Sequence, residues 1–298
     1  MTGSDQQSPL AGVAWMVASG LAFVGVNGVV KHLGTDLPAA QSAFIRFAFG
    51  VAFFLPVLPA ILRAGFPAPV WRLFAWRGAL HVAAVALWFH AMARVPVAEM
   101  SAIAFLNPVI VLVIGALLLG EGFGPRRLIV VLAALVGALM VLRPGFREVS
   151  EGHLSQIVAT LCFAASYIFA KRLSAVAPAS VVVAVMSVSV TLGLLPLAIW
   201  VWQPVTPVQL GWLGVVAALA TAGHYMMTRA FRAAPLAVTQ PVSFLQIVWS
   251  TALGALVFHE AVDPWVIAGG AVIIGAVSLN TWAAARRGRR PAPPAVET

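Results

Sequence analysis

Ten apolar stretches follow one another along this chain, each close to the length that crosses a lipid bilayer. They run Leu10–Leu33, Ala39–Leu62, Trp71–Ala93, Val97–Leu119, Pro125–Leu142, Leu154–Leu173, Pro178–Trp202, Leu210–Phe231, Leu236–Phe258 and Trp265–Ala285. A span needs about 20 apolar residues to cover a hydrocarbon core of roughly 30 Å. The breaks are short and carry turn chemistry, as at Gly34–Pro38, Gly65–Pro69, Gly120–Pro125 and Ala233–Pro235. Lipid offers no partner to backbone N–H and C=O groups, so each span is expected to be a helix. Short breaks make consecutive helices antiparallel. The expected fold class is all-α and polytopic, with ten transmembrane helices.

Composition closes the other routes. The 298 residues are 61% hydrophobic and 9% charged, with mean hydropathy +0.98. Soluble domains carry about 25% charged residues. A water-soluble enzyme, a nucleic-acid binder and a disordered chain are all excluded on that ground. The net charge of +9 therefore reads as topology. A single cysteine, Cys162, leaves no internal disulfide and no Cys-rich metal site. Neither a cofactor nor a metal is expected.

Orientation follows from the basic residues. With the N-terminus in the cytoplasm, the inner loops and ends hold twelve Lys and Arg residues, and the outer ones hold only Lys31, Arg94, Arg143 and Arg147. Arg46 and Arg77 lie within spans. Both termini are expected in the cytoplasm of a bacterial inner membrane. The segments divide as a tail at 1–9, five spans at 10–145, five more at 152–285, and a basic, Pro-rich tail at 286–298.

The two sets of five match each other. A shift of 140 residues lays Gly12 on Gly152, Phe23 on Phe163, Lys31 on Lys171 and Pro38 on Pro178. A shift of 139 lays Pro96 on Pro235, Phe105-Leu106 on Phe244-Leu245, Glu121 on Glu260 and Pro125 on Pro264. Five is odd, so the second repeat enters the membrane from the opposite side. Inverted repeats are a device of secondary transporters, whose substrate site lies near the midplane between them.

The segment Pro96–Gly145 reads PVAEMSAIAFLNPVIVLVIGALLLGEGFGPRRLIVVLAALVGALMVLRPG. Its Pro-interrupted fourth helix, Leu-Gly-Glu turn, basic start of the fifth helix and closing Arg-Pro-Gly resemble the end of an EamA unit of the drug/metabolite transporter superfamily. Arg46 in FIRFAFG resembles the second helix of that family. The resemblance covers nearly the whole chain as two units. It implies ten helices and small-molecule transport, and it leaves the substrate open. One departure is Gln246-Ile247 where the first repeat has Asn107-Pro108; the proline of the second repeat lies earlier, at Pro241.

Candidate site residues are polar or aromatic groups at mid-span, where lipid makes them costly. Thr239, Ser243, Gln246 and Ser250 recur on one face of the ninth span, with Trp249 beside Gln246. Gln246 corresponds to Asn107. Two midplane amides suit either a binding site or interhelical hydrogen bonding. Asn27 and Phe23 on the first span answer Tyr167 and Phe163 on the sixth. His81, with Trp88 seven residues on, and His224 lie inside the third and eighth spans. Arg46 has three open readings: it receives a substrate carboxylate, braces backbone, or snorkels outward. Lys31 and Lys171 read as anchors at helix ends, or as gates paired with Glu99, Glu121 or Glu260. Small residues such as Ala133 with Gly137, and Ala271 with Gly275, are expected at close helix crossings.

No carboxylate falls at mid-membrane, so a buried acid is not expected to couple protons or sodium. Facilitated diffusion or exchange is the expected mode, with histidine-linked coupling as the other route. No nucleophile elbow or zinc-protease motif points to an enzyme. The expected function is a secondary transporter working by alternating access, an exporter of aromatic or other neutral amino acids. The other reading is an importer of riboflavin or S-adenosylmethionine, or a drug efflux carrier. The expected partners are a small-molecule substrate and the bilayer, with no nucleic acid; the sequence leaves the oligomeric state open.

Overall fold

Proline, glycine and hydroxyl residues set the helix ends. The computed structural model describes residues 8–33, 36–56, 59, 63, 65–92, 94, 103–120, 124–142, 150–259 and 264–288. Among the described residues there are eleven helices and no strand. They are α1 (Pro9–Leu33), α2 (Ala39–Phe54), α3 (Ala68–Met92), α4 (Asn107–Leu119), α5 (Pro125–Leu142), α6 (Glu151–Val176), α7 (Ala179–Trp200), α8 (Pro207–Ala233), α9 (Leu236–Ser243), α10 (Leu245–Phe258) and α11 (Pro264–Gly288). Helix α8 starts with a capping box: Thr206 Oγ1 accepts from Gln209 N at 3.2 Å, and Gln209 Oε1 accepts from Thr206 N at 2.9 Å.

By length and composition, α1, α6, α7, α8 and the run Leu236–Phe258 can each cross a membrane. Helices α2 and α4 are apolar but shorter. Three spans differ from the sequence expectation, and proline explains each. Helix α2 ends at Phe54: Leu55 keeps helical angles, φ −50° and ψ −42°, but its N–H turns to Ala52 O at 3.2 Å, and Pro56 has no N–H to carry the ladder on. The fourth has its long helix starting only at Asn107, which places Pro108 in the first turn, where its missing N–H costs nothing. The ninth divides at Phe244, whose N–H turns back to Pro241 O at 3.3 Å. The turns at Phe105–Leu106 and at Phe244 thus fall at positions that the 139-residue shift aligns.

The helix ends after these breaks match as well. Gly120 closes α4 at φ 64°, and His259 closes α10 at φ 54°. Both residues take the left-handed conformation that ends helices.

The dominant packing joins one half of the chain to the other. Helix α3 lies along α6, α1 along α8, α5 along α11, and α2 along α7. The α5–α11 crossing is closest at Gly137, where an added Cβ would stand 2.7 Å from Gly269 O and 2.9 Å from Ile273 Cγ1. Gly275 corrects an expectation. A Cβ there would meet nothing within 4 Å, because Gly269 and its neighbours, one and a half turns earlier on α11, make the approach.

Side chains tie the bundle at each end. At one end the start of α1 meets the C-terminus of α8, with Gly12 against Ala234. Lys171 Nζ, on α6, donates to Phe231 O and, at 2.8 Å, to Ala234 O. Arg172 donates to Leu118 O of α4 at 3.2 Å. At the other end Gln41 of α2 exchanges two hydrogen bonds with the Gln203 backbone after α7, at 2.7 and 2.9 Å. Arg94, beyond α3, pairs with Glu151 of α6 at 2.7 Å.

Candidate substrate site

The centre of the bundle, where α2, α3, α6, α7 and α8 meet, is built from arginine, histidine and aromatic rings. Helix α3 carries Arg77 and His81 one turn apart on one face, and both are buried. Arg77 reaches α7: Nη1 donates to Val182 O at 2.8 Å, and Nη2 lies 3.2 Å from Met186 Sδ. Its Nε finds no partner among the described residues. Ser166 of α6 donates to Arg77 O at 3.4 Å and shares a 3.3 Å bond with His81 Nδ1. With the Ser166 proton on Arg77 O, His81 Nδ1 is the donor in that bond.

His81 sits among rings. Phe163 lies at 5.2 Å, His224 at 5.7 Å and Phe47 at 6.1 Å, all edge to face. Phe23 of α1 closes on His224 at 5.1 Å. His224 is buried, and its Nδ1 has no hydrogen-bond partner among the described residues. Beside it is a cavity of about 10 Å³ lined by Arg46, Phe47, Ser187, Thr221 and His224 among others. That volume holds about one water-sized group.

The structure therefore gathers Arg46, His81, Phe163 and His224 into one cluster. Tyr167 stands a turn along α6 and packs on Phe231, ring centroids 6.3 Å apart. Trp88 is not part of the cluster; it lies on Phe89 near the end of α3. Asn27 is exposed. Asn107 Nδ2 donates to Thr160 O at 3.3 Å, a bond between α4 and α6. Ser243 Oγ turns back to Gln240 O at 2.6 Å. Gln246 is half-buried, and the Trp249 indole N–H is buried with no partner among the described residues. Lys31 lies over the Phe258 ring at 4.5 Å. Lys171 does not reach outward as an anchor: it binds the last carbonyls of α8, which its own ammonium satisfies. Glu99, Glu121 and Glu260 lie outside the described residues.

Arg77 is the residue that sequence reasoning missed. It was counted as a charge within a span. The available signal was its spacing of four from His81. It also settles which arginine braces backbone. Arg77 does so, whereas Arg46 stacks on the Phe47 ring at 4.2 Å and makes no hydrogen bond to a described residue.

Residues 10–143 and, separately, 150–282 each match the EamA-like transporter family. The chain belongs to that family. Within it, the chain is 29% identical over 291 residues to a riboflavin transporter of Rhizobium johnstonii, covering 95% of each protein. It is 26% identical over 273 residues to a pseudopaline exporter of Pseudomonas aeruginosa, covering 89% of this chain and 93% of the other. It is 25% identical over 275 residues to an S-adenosylmethionine uptake transporter of Rickettsia prowazekii, covering 90% and 91%. A crystal structure 22% identical in sequence shares the fold at a TM-score of 0.75, over 95% of this chain and all of that one. These relatives make this EamA protein a multi-pass membrane transporter of small metabolites.

Proposed function

We propose that the chain carries aromatic or other neutral amino acids out of the cell by alternating access, through a site at the His81–His224 cluster. The observation that carries this reading is the make-up of the centre: two histidines and the rings of Phe23, Phe47 and Phe163 around Arg46. Edge-to-face packing of this kind accepts a further ring, and the acids of the described residues lie away from it. In this reading the chain forms ten spans as two inverted five-helix repeats, residues 10–145 and 152–285, with both termini cytoplasmic. The pairing of helices supports it. Exchanging the two halves turns α3 on α6 into α8 on α1, and leaves α2 on α7 and α5 on α11 in place. The small central cavity supports a moving site, since whole metabolites occupy pockets of roughly 300–1,000 Å³. The halves must separate to admit one.

Gates close the two ends in turn. Lys171 on the α8 carbonyls is the gate of one end, and Lys31 belongs to the other. Asn107, Gln246 and Trp249 line the path as the halves part. The second reading is uptake of a flavin, favoured by the relative that carries riboflavin and by the same rings. S-adenosylmethionine fits less well, because its sulfonium would meet Arg46.

The test is uptake of labelled phenylalanine into liposomes holding the purified protein. Unlabelled amino acids, riboflavin and S-adenosylmethionine serve as competitors. Saturable uptake blocked by aromatic amino acids is expected. Block by riboflavin alone would transfer the assignment to flavins.

A further inference from the structure

We propose that the cavity beside Arg46 is a subsite for the carboxylate of the transported solute, an inference that rests on the carrier reading above. Arg46 stacks one face of its guanidinium on Phe47 and leaves its N–H groups without a hydrogen bond or ion pair from any described residue. A charge in that position is costly unless a counter-charge arrives. Arg77 differs, because Val182 O and Met186 Sδ already occupy it.

The cavity wall supplies what a carboxylate needs. Thr221 lines it, and its hydroxyl bonds to no described residue. His224 also lines it, and its Nδ1 is buried with no hydrogen-bond partner among the described residues. Ser187 donates its proton to Val183 O at 3.0 Å and so adds no donor. The guanidinium, the hydroxyl and the imidazole together can serve the two oxygens of one carboxylate. One positive charge is neutralised by one negative charge; a phosphate dianion would leave a charge over. The planar fork of arginine matches a carboxylate in two-point contact. The cavity holds about one water-sized group as it stands, so it widens to take a carboxylate as the halves part, and the ring of the solute lies outside it, toward Phe163 and His81.

The experiment compares phenylalanine with phenylalaninamide, which keeps the ring and lacks the carboxylate. Binding is read as the rise in thermal midpoint of the purified full-length protein, and transport as counterflow in liposomes. The acid is expected to bind about ten- to a hundredfold more tightly than the amide. Arg46→Gln is expected to erase that preference, Arg46→Lys to keep part of it, and Thr221→Val to reduce it without touching the amide. Sodium chloride at matched ionic strength should give no shift; a shift equal to that of the acid would make this a generic monoanion site and overturn the proposal. Equal binding and equal transport of acid and amide would overturn the subsite and leave the carrier intact. A midpoint shift by the acid alone, with no transport of either, would support the subsite and sink the carrier reading. No shift and no transport would overturn both. Should Arg46→Gln fail to fold, the acid–amide comparison on the unaltered protein decides the matter.

Discussion

Phe105 and Phe244 lie ring against ring, centroids 6.1 Å apart and planes 23° from parallel. They are 139 residues apart, and each sits where its span breaks. Phe244 is fully buried. The stack pins the two broken helices to each other at the point where each has lost regular backbone pairing. Phe244→Ala should therefore cost about 3–5 kcal/mol, and Phe244→Leu much less. Thermal unfolding in detergent measures both. Equal midpoints for the two variants would count against the stack as a packing centre.

Arg77 predicts an unusual contrast. Its charge is buried, and its bonds go to a carbonyl and a thioether. Replacing a buried charge by an apolar side chain of similar length is often neutral or stabilising. Arg77→Met should fold as well as the parent, while Arg77→Ala leaves a cavity between α3 and α7 and should lose about 2–4 kcal/mol. Thermal midpoints of the two proteins decide it; a collapse of Arg77→Met would mean the guanidinium itself holds the core.

Lys171 binds two carbonyls at the end of α8 with a charged donor. Lys171→Met should weaken that end by about 1.5–3 kcal/mol, and Lys171→Arg should retain most of the hold. Hydrogen exchange of the last turn of α8 reads this directly. Unchanged protection in Lys171→Met would remove the residue from the gate.

The α5–α11 crossing separates two glycines that look alike in sequence. Gly137→Leu would drive a side chain into Gly269 O and Ile273 and should abolish the folded protein. Gly275→Leu points into open space and should be tolerated. Yield after membrane extraction and gel filtration compares them.

The helices, their breaks at proline and the two family units were readable because apolar runs and prolines act locally. Cluster membership was readable only in part. His81, His224 and Arg46 were singled out by depth within a span and Phe163 by its match to Phe23 in the repeat, and depth is what a sequence of spans encodes. Depth does not say which helix stands opposite. Trp88 shares a face with His81 in sequence, yet the close approach of α6 takes up the space at His81 and leaves Trp88 beside Phe89. Asn107 looked like half of a symmetric pair with Gln246, but α6 offers Thr160 O to Asn107, and Gln246 meets no such carbonyl among the described residues. The small-residue pattern pointed to Gly275 because sequence periodicity fixes a helical face only to within the neighbour that happens to fill it.

The pairing of α3 with α6, α1 with α8, α2 with α7 and α5 with α11 has a consequence for how the chain is made. Among the described residues, α1 to α5 barely touch one another, apart from a short contact between α2 and α3. Nearly every surface they bury is buried against a helix that leaves the ribosome later. The early helices must wait as separate rods in the lipid, or in the care of an insertion factor, until α6 arrives. The two halves, produced as separate polypeptides in one cell, should find each other, and neither should persist without its complement.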